Sequence, residues 1–433
     1  MPPTSSPAAM NRSQHWSPAT VTVPPRPIDR LLNATLADGR VVDVGLAGDT
    51  VASVSPATGA TASAADLDLS GYLLLTAGCD AHAHLDKALT WETINPPMGD
   101  LRLAIESFNA HQELFTVENT LERARRAALG LLANGTTAVR SHVNITVGAQ
   151  PLRGAMALVQ LKDELAELMD IELVALANED IPDAVIEQAI DLGIDLVGGV
   201  PHLASDPLAE VDRLVALAGR LGVGIDLHSD ETLDGDPTLG HFARAVRAWP
   251  IGQHASAGHC VRLGTLPETE RDQIIDEVVA SDVGIITLPI TNLYLQGWQH
   301  PVATPRGLTA LRALIDAGAR LGAGADNVRD PFNPLGRSDA LETAMLLVTA
   351  GHLTADEAWH LSSAGSRAVM RLPEAGASVG ARADFLIIRA GSLLEAIAEA
   401  SADRMVIHAG RLVSQTTVTR TTATPSALAR QGR

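Results

Sequence analysis

Two patterns of hydrophobic and polar positions divide this chain. Residues 28–75 alternate apolar and polar side chains between turn residues such as Asp38-Gly39 and Gly48-Asp49, which is typical of short hairpin strands. Strand-like runs of the same kind return near the other end, at residues 383–388 and 405–411. We therefore expect the two ends of the chain to pair into one small β-sandwich domain.

Between these ends, short apolar runs alternate with amphipathic helical stretches such as 121–134, 207–221 and 338–349. This alternation indicates βα units and a parallel sheet. Eight such units over about 300 residues predict a (β/α)8 barrel of the TIM type. The eight candidate strands are 74–79, 136–140, 172–177, 196–200, 224–227, 253–257, 284–288 and 320–325.

The resulting division of the chain has a central α/β barrel and a β-domain drawn from both ends. The barrel is predicted to span residues 76–375, and the β-domain residues 28–75 and 376–415. Residues 1–27 are rich in Pro, Ser and Thr and lack an apolar signal-peptide core, so they are predicted to be a disordered tail. Residues 416–433 are predicted to be a second, loose tail.

Composition narrows the classes of function. Hydrophobic residues make up 46% of the 433 positions and aromatics 3%, so a large, mainly aliphatic core is expected. The formal charge of −19 disfavours nucleic acid as a partner. No apolar stretch approaches the length of a membrane span. Two cysteines exclude a disulfide framework and favour the cytoplasm. A small-molecule substrate is expected, and assembly into a homo-oligomer is left open.

Histidines and acids collect where the candidate strands end. His82 and His84 follow the first strand, two residues apart, so both side chains point the same way. His228, His259 and Asp326 follow the fifth, sixth and eighth strands. Barrel enzymes keep their active sites at this end of the strands, and imidazole suits zinc and iron. The fourth strand offers no lysine to bridge two ions, so a single metal ion is favoured.

Several stretches of the chain resemble the cytosine deaminase group of the amidohydrolase superfamily, over roughly residues 30–415. The chain is also similar to N-isopropylammelide amidohydrolase and related triazine amidohydrolases. The stretches are Gly78-Cys79-Asp80-Ala81-His82-Ala83-His84-Leu85-Asp86-Lys87, Arg140-Ser141-His142-Val143-Asn144, His228-Ser229-Asp230-Glu231, Gly258-His259, and residues 289–297 and 324–332.

The resemblance implies a metal-dependent deaminase with defined ligands. His82, His84, His228 and Asp326 would hold one Zn or Fe(II), with an open position for water. Asp326 would also accept a proton from that water, and the resulting hydroxide would attack the ring carbon. Glu231 would carry a proton to the ring nitrogen.

His259 would orient the hydroxide and stabilise the developing oxyanion. Because Glu231 is three residues past His228, it must lie in the loop after the strand. A supporting role is favoured for His142.

Departures from the cytosine deaminase pattern bear on the substrate. Asn178 stands where the pattern has glutamine, and its amide reaches about 1.5 Å less far. Lys87 adds a cation, Asn327 replaces a common aspartate, and Phe332 could stack on a planar ring. His202 is an open case, either a substrate contact or a structural residue at the rim.

These positions predict deamination of a nitrogen heterocycle other than cytosine itself. The candidates are a modified cytosine, isoguanine, creatinine or an aminotriazine. The alternative within enzymes is hydrolysis of a cyclic amide or an N-alkyl triazine. A non-catalytic binding barrel is a distant alternative, which the loss of a ligand or of Glu231 would favour; none is lost.

Overall fold

The computed structural model describes residues 23–250 and 253–423. Its strands form two separate sheets. The strands are β1 (Arg26–Pro27), β2 (Arg30–Leu36), β3 (Val41–Ala47), β4 (Thr50–Pro56), β5 (Asp66–Asp68), β6 (Leu73–Thr76), β7 (Gly78–Ala83), β8 (Thr136–Asn144), β9 (Asp170–Ala177), β10 (Leu196–Gly199), β11 (Gly224–Ser229), β12 (Ala255–His259), β13 (Gly284–Thr287), β14 (Leu321–Ala323), β15 (Phe385–Ile388), β16 (Arg404–His408) and β17 (Arg411–Thr416).

Most of the helices lie between strands β7 and β14 along the chain. They are α1 (Trp91–Ile94), α2 (Leu101–His111), α3 (Val117–Ala133), α4 (Arg153–Leu165), α5 (Asp183–Leu192), α6 (Pro207–Leu221), α7 (Leu239–Val246), α8 (Glu268–Ala280), α9 (Pro289–Leu295), α10 (Leu311–Asp316), α11 (Ala340–Thr349), α12 (Ala355–His360), α13 (Ser366–Val369) and α14 (Leu393–Glu399). No helix among the described residues is both long and apolar enough to span a bilayer.

Strands β7 to β14 pair in chain order into an eight-stranded parallel sheet, and backbone bonds between its two ends close it. The amide of Asp326 donates to the His82 carbonyl at 2.8 Å, and the amide of His84 donates to the Asp326 carbonyl at 2.9 Å. Because sequential parallel strands are linked by helices that pack outside, the sheet curls into a barrel. The predicted fold class, a (β/α)8 barrel with a β-domain from both chain ends, is confirmed.

The other sheet joins the two ends of the chain. It runs in the order β1-β17-β16-β15-β6-β2-β3-β4, with β5 beside β2. Leu31, Val44, Phe385 and Ile407 pack in its own core, separate from the barrel core. The division of the chain at residues 75 and 376 stays a prediction.

The first predicted strand needs a correction. The apolar run 74–79 divides between the two sheets: β6 pairs with β15 and β2, whereas the barrel strand β7 begins at Gly78. Leu74 packs in the core of the end sheet, and Leu75 packs in the barrel core. A continuous apolar run does not reveal which sheet it joins, because both environments are buried.

The predicted tails also need comment. Arg26 and Pro27 were assigned to the N-terminal tail, but they form β1 and pair with Leu412 and Arg411 of β17. Thr416, assigned to the C-terminal tail, is the last residue of β17. The remaining tail predictions for residues 1–22 and 424–433 lie outside the described residues.

Local sequence signals explain why the helices begin and end where they do. Helix α6 matches the predicted stretch 207–221. The Asp206 carboxylate accepts from the Ala209 amide, Pro207 occupies the first turn, and Gly222 ends the helix with a left-handed φ of 69°. Asp206 pairs a backbone amide that has no partner within the helix, Pro207 has a φ suited to the first turn, and Gly222 adopts the left-handed conformation without steric cost. Helices of this kind hold the barrel strands in place around the site described next.

Candidate metal centre and active site

The chemistry-bearing side chains meet at the carboxyl-terminal end of the barrel. His82 and His84 lie on and just after β7, His228 is on β11, and His259 ends β12. Asp326 follows β14 and is tied to β7 by the backbone bonds that close the barrel. His259 and Asp326 have φ values of 68° and 58°, a region that costs a non-glycine residue free energy and recurs at functional sites. The fold therefore holds these two side chains against local preference.

Four of these residues form a compact donor set. His84 Nε2 lies 3.1 Å from His228 Nε2 and 3.2 Å from Asp326 Oδ1. His82 Nε2 lies 3.7 Å from the same carboxylate oxygen. All four side chains are buried. Two overlapping sets of three, His82 with His84 and His228, and His82 with His259 and Asp326, have ligand atoms close enough together to hold an ion.

Buried polar atoms without hydrogen-bond partners indicate whether a metal ion suits this donor set. Both nitrogens of His82, both carboxylate oxygens of Asp326 and Nδ1 of His228 are buried without a hydrogen-bond partner. Leaving a buried polar group unpaired costs about 1–3 kcal/mol, so a cluster of them requires a ligand to compensate. The donor set fits a divalent cation that prefers imidazole and carboxylate ligands.

The electrostatics keep these ligands in the state that a metal needs. Burial, reinforced by neighbouring imidazoles, holds the pKa of His82 and of His228 well below the usual range. Burial also lowers the pKa of His84 to about 3, with Lys87 acting in the same direction. Burial alone would raise the pKa of Asp326, but His84 and His259 hold it below its usual value. Neutral imidazoles and an ionised carboxylate are the forms that bind a metal ion.

Glu231 lies in the loop after β11, as the three-residue offset from His228 predicted. Its carboxylate lies 3.6 Å from His259 Nδ1 and 3.9 Å from His202 Nε2. Burial raises the pKa of Glu231 to about 7, although the proximity of His259 works against the shift. A carboxyl group that titrates near neutral pH is suited to general acid–base work.

A cavity of about 520 Å³ opens onto this cluster. Four of the predicted substrate residues, Lys87, Asn178, Asn327 and Phe332, line it. The Lys87 ammonium lies 4.7 Å from the centre of the Phe332 ring and 3.1 Å from His84 Nδ1.

His202 is placed differently: it is absent from the described part of the cavity wall, and its Nδ1 lies 3.1 Å from the His228 carbonyl. Its Nε2 is buried without a hydrogen-bond partner among the described residues and lies 3.9 Å from the Glu231 carboxylate, so both the substrate contact and the structural role stay predictions.

His142 lies beneath the metal cluster. Its ring centre is 4.0 Å from that of His82, and its Nε2 is 3.6 Å from Asp226 Oδ1. Asp226 in turn accepts from the fully buried Arg140 guanidinium at 2.5 Å. A packed imidazole beside His82 limits how that ligand can turn, and the supporting role of His142 stays a prediction.

Sequence reasoning missed other residues at the site. Asn292, in the middle of α9, places its Oδ1 3.0 Å from His259 Nδ1. Asn144, the last residue of β8, and Thr146 line the cavity. Phe108 of α2 also lines it, with its ring centre 6.0 Å from the Lys87 ammonium. Asn292 and Asn144 stand inside stretches that follow predicted strands, so their positions were a usable signal. Nothing in the pattern of α2 pointed to the cavity.

A family comparison decides the class of this protein. The profile described as the amidohydrolase family matches residues 92–414. The chain belongs to this family. It is accordingly an enzyme, a hydrolase of carbon–nitrogen bonds other than peptide bonds, built around a histidine-rich site suited to metal.

Two curated relatives align over most of the chain. One is a pterin deaminase of Rhizobium rhizogenes (strain K84), 29% identical over 388 residues, which cover 86% of this chain and 88% of that protein. The other is an N-isopropylammelide isopropyl amidohydrolase of Pseudomonas sp. (strain ADP), 25% identical over 391 residues, which cover 86% and 93%.

A solved structure gives the same result. The 5-methylcytosine deaminase of Klebsiella pneumoniae, liganded with phosphonocytosine, superposes with a TM-score of 0.82 at 26% identity. The superposition covers 91% of this amidohydrolase and all of that chain. Family membership and fold therefore agree, and the resemblance inferred from the sequence is confirmed.

Proposed function

We propose that this amidohydrolase removes an exocyclic amino group from a small nitrogen heterocycle and releases ammonia. The observation that carries the proposal is the convergence of His82, His84, His228 and Asp326, with buried unpaired atoms, beside the Glu231 carboxylate. In this proposal the four residues hold one Zn or Fe(II). The chemistry that such an ion supplies when bound is the ionisation of water near neutral pH.

The chain's own acids and bases then move the protons. Asp326 accepts a proton from the attacking water, since its carboxylate is ionised and otherwise unpaired. Glu231 delivers a proton to the ring nitrogen, because burial raises its pKa to about 7 and it can both hold and release the proton.

His259 faces the same space: its Nε2 lies 3.9 Å from Asp326 Oδ2 and has no partner. With a proton on both ring nitrogens, Nδ1 donates to Asn292 Oδ1 and Nε2 donates to the oxyanion that develops on the ring carbon.

The ring itself would be held by the residues around Lys87. The ammonium of Lys87 meets a ring carbonyl or an anionic ring, and Phe332 supplies an apolar face for stacking. Asn327 is already committed to Asp330 through a 2.8 Å hydrogen bond, so it shapes the wall more than it binds. Asn178 is exposed at the mouth of the cavity and contacts Asp180 only weakly, at 3.4 Å. His202 supports Glu231 in this proposal and does not touch the ring.

The substrate class is an amino-substituted ring other than cytosine. Modified cytosines, isoguanine, creatinine and aminotriazines are the candidates from the residues, and the pterin deaminase relative adds aminopteridines. The test is a panel of these compounds with metal-loaded protein, followed by ammonia release. Ammonia from one of these rings, with cytosine a poor substrate, is the expected result. Absence of ammonia from every ring would overturn the proposal.

Loss of an alkylamine is the second candidate. The relative named as an isopropyl amidohydrolase favours it, because the same attack on a ring carbon can expel a substituted amine. Chromatography of the products separates the two cases: a deaminase releases ammonia, and the alternative releases isopropylamine from N-isopropylammelide.

A further inference from the structure

The cavity has two chemically different halves. The inner half is buried and holds the proposed ligands together with Lys87, Glu231 and His259. The outer half, which we call the outer chamber, lies between α2 and the loops after β8 and β9. Its polar wall residues are Asn109, Gln112, Asn144, Thr146, Asn178, Glu179 and Asp180. A volume of about 520 Å³ is in the range that encloses a drug-sized molecule, and so exceeds what a single ring needs.

Two atoms of the outer chamber lack partners. Asn144 Oδ1 and Thr146 Oγ1 are buried and form no hydrogen bond in the described part of the chain. The backbone of Asn144 is held in place because its backbone N–H donates to Asp86 Oδ2 at 3.0 Å. Both residues line the cavity, and their unpaired oxygens lie just beneath its accessible surface. A change of side-chain rotamer brings this acceptor and this hydroxyl to a hydrogen-bonding ligand group, which relieves the cost of leaving them unpaired.

The charged side chains in the described wall of the outer chamber are both acidic. Glu179 and Asp180 are exposed at its mouth, and no Lys or Arg belongs to the described part of its wall. Glu179 remains an anion because the Ser205 amide and hydroxyl donate to it, which keeps its pKa below the usual value. Arg153 lies near the chamber, but it donates to the Gln112 carbonyl and lies 3.8 Å from Glu113. Its charge is therefore already paired.

We infer that the natural substrate carries a neutral or cationic hydrogen-bonding substituent on its amino ring and that this substituent occupies the outer chamber. The inference rests on the proposed function, because it takes the ring to lie in the inner half. A hydroxyalkyl, amide or amine group satisfies Asn144 and Thr146. A carboxylate or phosphate in the same place meets Glu179 and Asp180 without a compensating cation, so rings with anionic substituents are selected against.

Ring-matched pairs of compounds test the inference. The probes are 6-hydroxymethylpterin against pterin-6-carboxylate, and 5-hydroxymethylcytosine against 5-carboxycytosine. For whichever of the two rings the enzyme deaminates, we expect kcat/KM to be at least about 5-fold lower for the carboxylate compound. The difference should come mainly from a higher KM, and it should be modest because exposed charges interact weakly. The difference should shrink as salt is raised, because salt screens exposed charges. Equal or better kinetics with the carboxylate would overturn the inference.

A charge reversal at the mouth gives a matched comparison. Asp180→Lys should improve kcat/KM for the carboxylate relative to its hydroxymethyl partner by about 5-fold. Asp276→Lys makes the same change in net charge on the outer helix α8, away from the cavity, and should leave the ratio as it is. Thr146→Val should raise KM for the hydroxymethyl compound by about 2- to 10-fold, and by less for the unsubstituted ring. If Asp180→Lys and Asp276→Lys change the carboxylate-to-hydroxymethyl ratio of kcat/KM equally, the placement of the substituent is contradicted.

Binding without turnover separates this inference from the proposed function. Calorimetry with metal-loaded Glu231→Gln protein measures affinity for the same four compounds. A preference for the hydroxymethyl compounds in binding, with no ammonia from the unmutated enzyme, would leave the outer chamber supported and overturn deamination. Ammonia release without any such preference would support deamination and overturn the inference about the outer chamber. Failure of all four compounds to bind would overturn the inference.

Discussion

His259 Nδ1 lies 3.0 Å from Asn292 Oδ1, and both side chains are buried. Asn292 Oδ1 accepts from Nδ1 of His259 and so fixes the orientation of the ring, with Nε2 lying 3.9 Å from Asp326 Oδ2. When both ring nitrogens carry a proton, Nδ1 donates to Asn292 and Nε2 is free to donate into the site. Asn292 is therefore a positioning residue for His259.

Replacing Asn292 tests that relationship. Asn292→Leu removes the partner of Nδ1 at similar volume, and we expect kcat to fall by about 10- to 100-fold with little change in KM. Asn292→Asp still accepts from Nδ1 and should retain more activity than the leucine variant. Steady-state kinetics on the best substrate of the panel decide this. Two equally active variants, or a change confined to KM, would contradict the role.

Metal removal should weaken the fold as well as abolish activity. Without the ion, the unpaired atoms of His82, His228 and Asp326 stay buried together, so the chelated protein should melt at a lower temperature. Metal analysis is expected to find one ion per chain, and the His82→Ala/His84→Ala variant should lose it. Two ions per chain, or full occupancy in that variant, would contradict the predicted ligand set.

Glu231 is expected to act on protons and not on folding. Glu231→Gln keeps the shape but cannot carry a proton, so the rate should fall by at least ~10²-fold. Metal content and melting temperature should change little, since burial already raises the pKa of this carboxyl to about 7 and glutamine resembles its neutral form. A fully active variant would leave the proposed mechanism without its acid.

Arg140 should matter for stability far more than an exposed arginine. It is fully buried and donates to Glu172 Oε2 at 2.5 Å and to Asp226 Oδ2 at 2.5 Å. Arg140→Leu removes the buried cation that Glu172 and Asp226 share, so the free energy of unfolding should fall by about 3–5 kcal/mol.

A matched control tests the contrast. Arg102 is exposed and paired with Glu106 on α2, and Arg102→Leu should cost about 0.5 kcal/mol or less. Urea denaturation compares the two variants. Similar losses for both would mean that Arg140 is not integral to the barrel interior.

Asn178 is predicted to direct the enzyme away from cytosine. Restoring the longer side chain with Asn178→Gln should raise kcat/KM for cytosine relative to the preferred ring by about 5- to 150-fold, because each buried contact is worth about 1–3 kcal/mol. The exposure of Asn178 places the expected gain at the low end of this range. If cytosine is the best substrate of the unmutated enzyme, Asn178, Lys87 and Asn327 do not determine specificity.

The sequence by itself determined the class of fold of this enzyme and predicted its ligand set. The signals were local and could be read from the sequence alone. They were the period-two alternation at both ends, the βα alternation between them, and the residues that follow strands: His82, His84, His228, His259 and Asp326. Such signals cannot show which distant groups share a contact.

Only the tertiary structure assigned Leu73–Thr76 to the end sheet, placed His202 Nδ1 against the His228 carbonyl, and brought Asn292 to His259 and Asn144 with Thr146 into the wall. Each of these outcomes depends on how side chains remote in sequence pack together, because burial and hydrogen bonding are decided by neighbours in space and not along the chain.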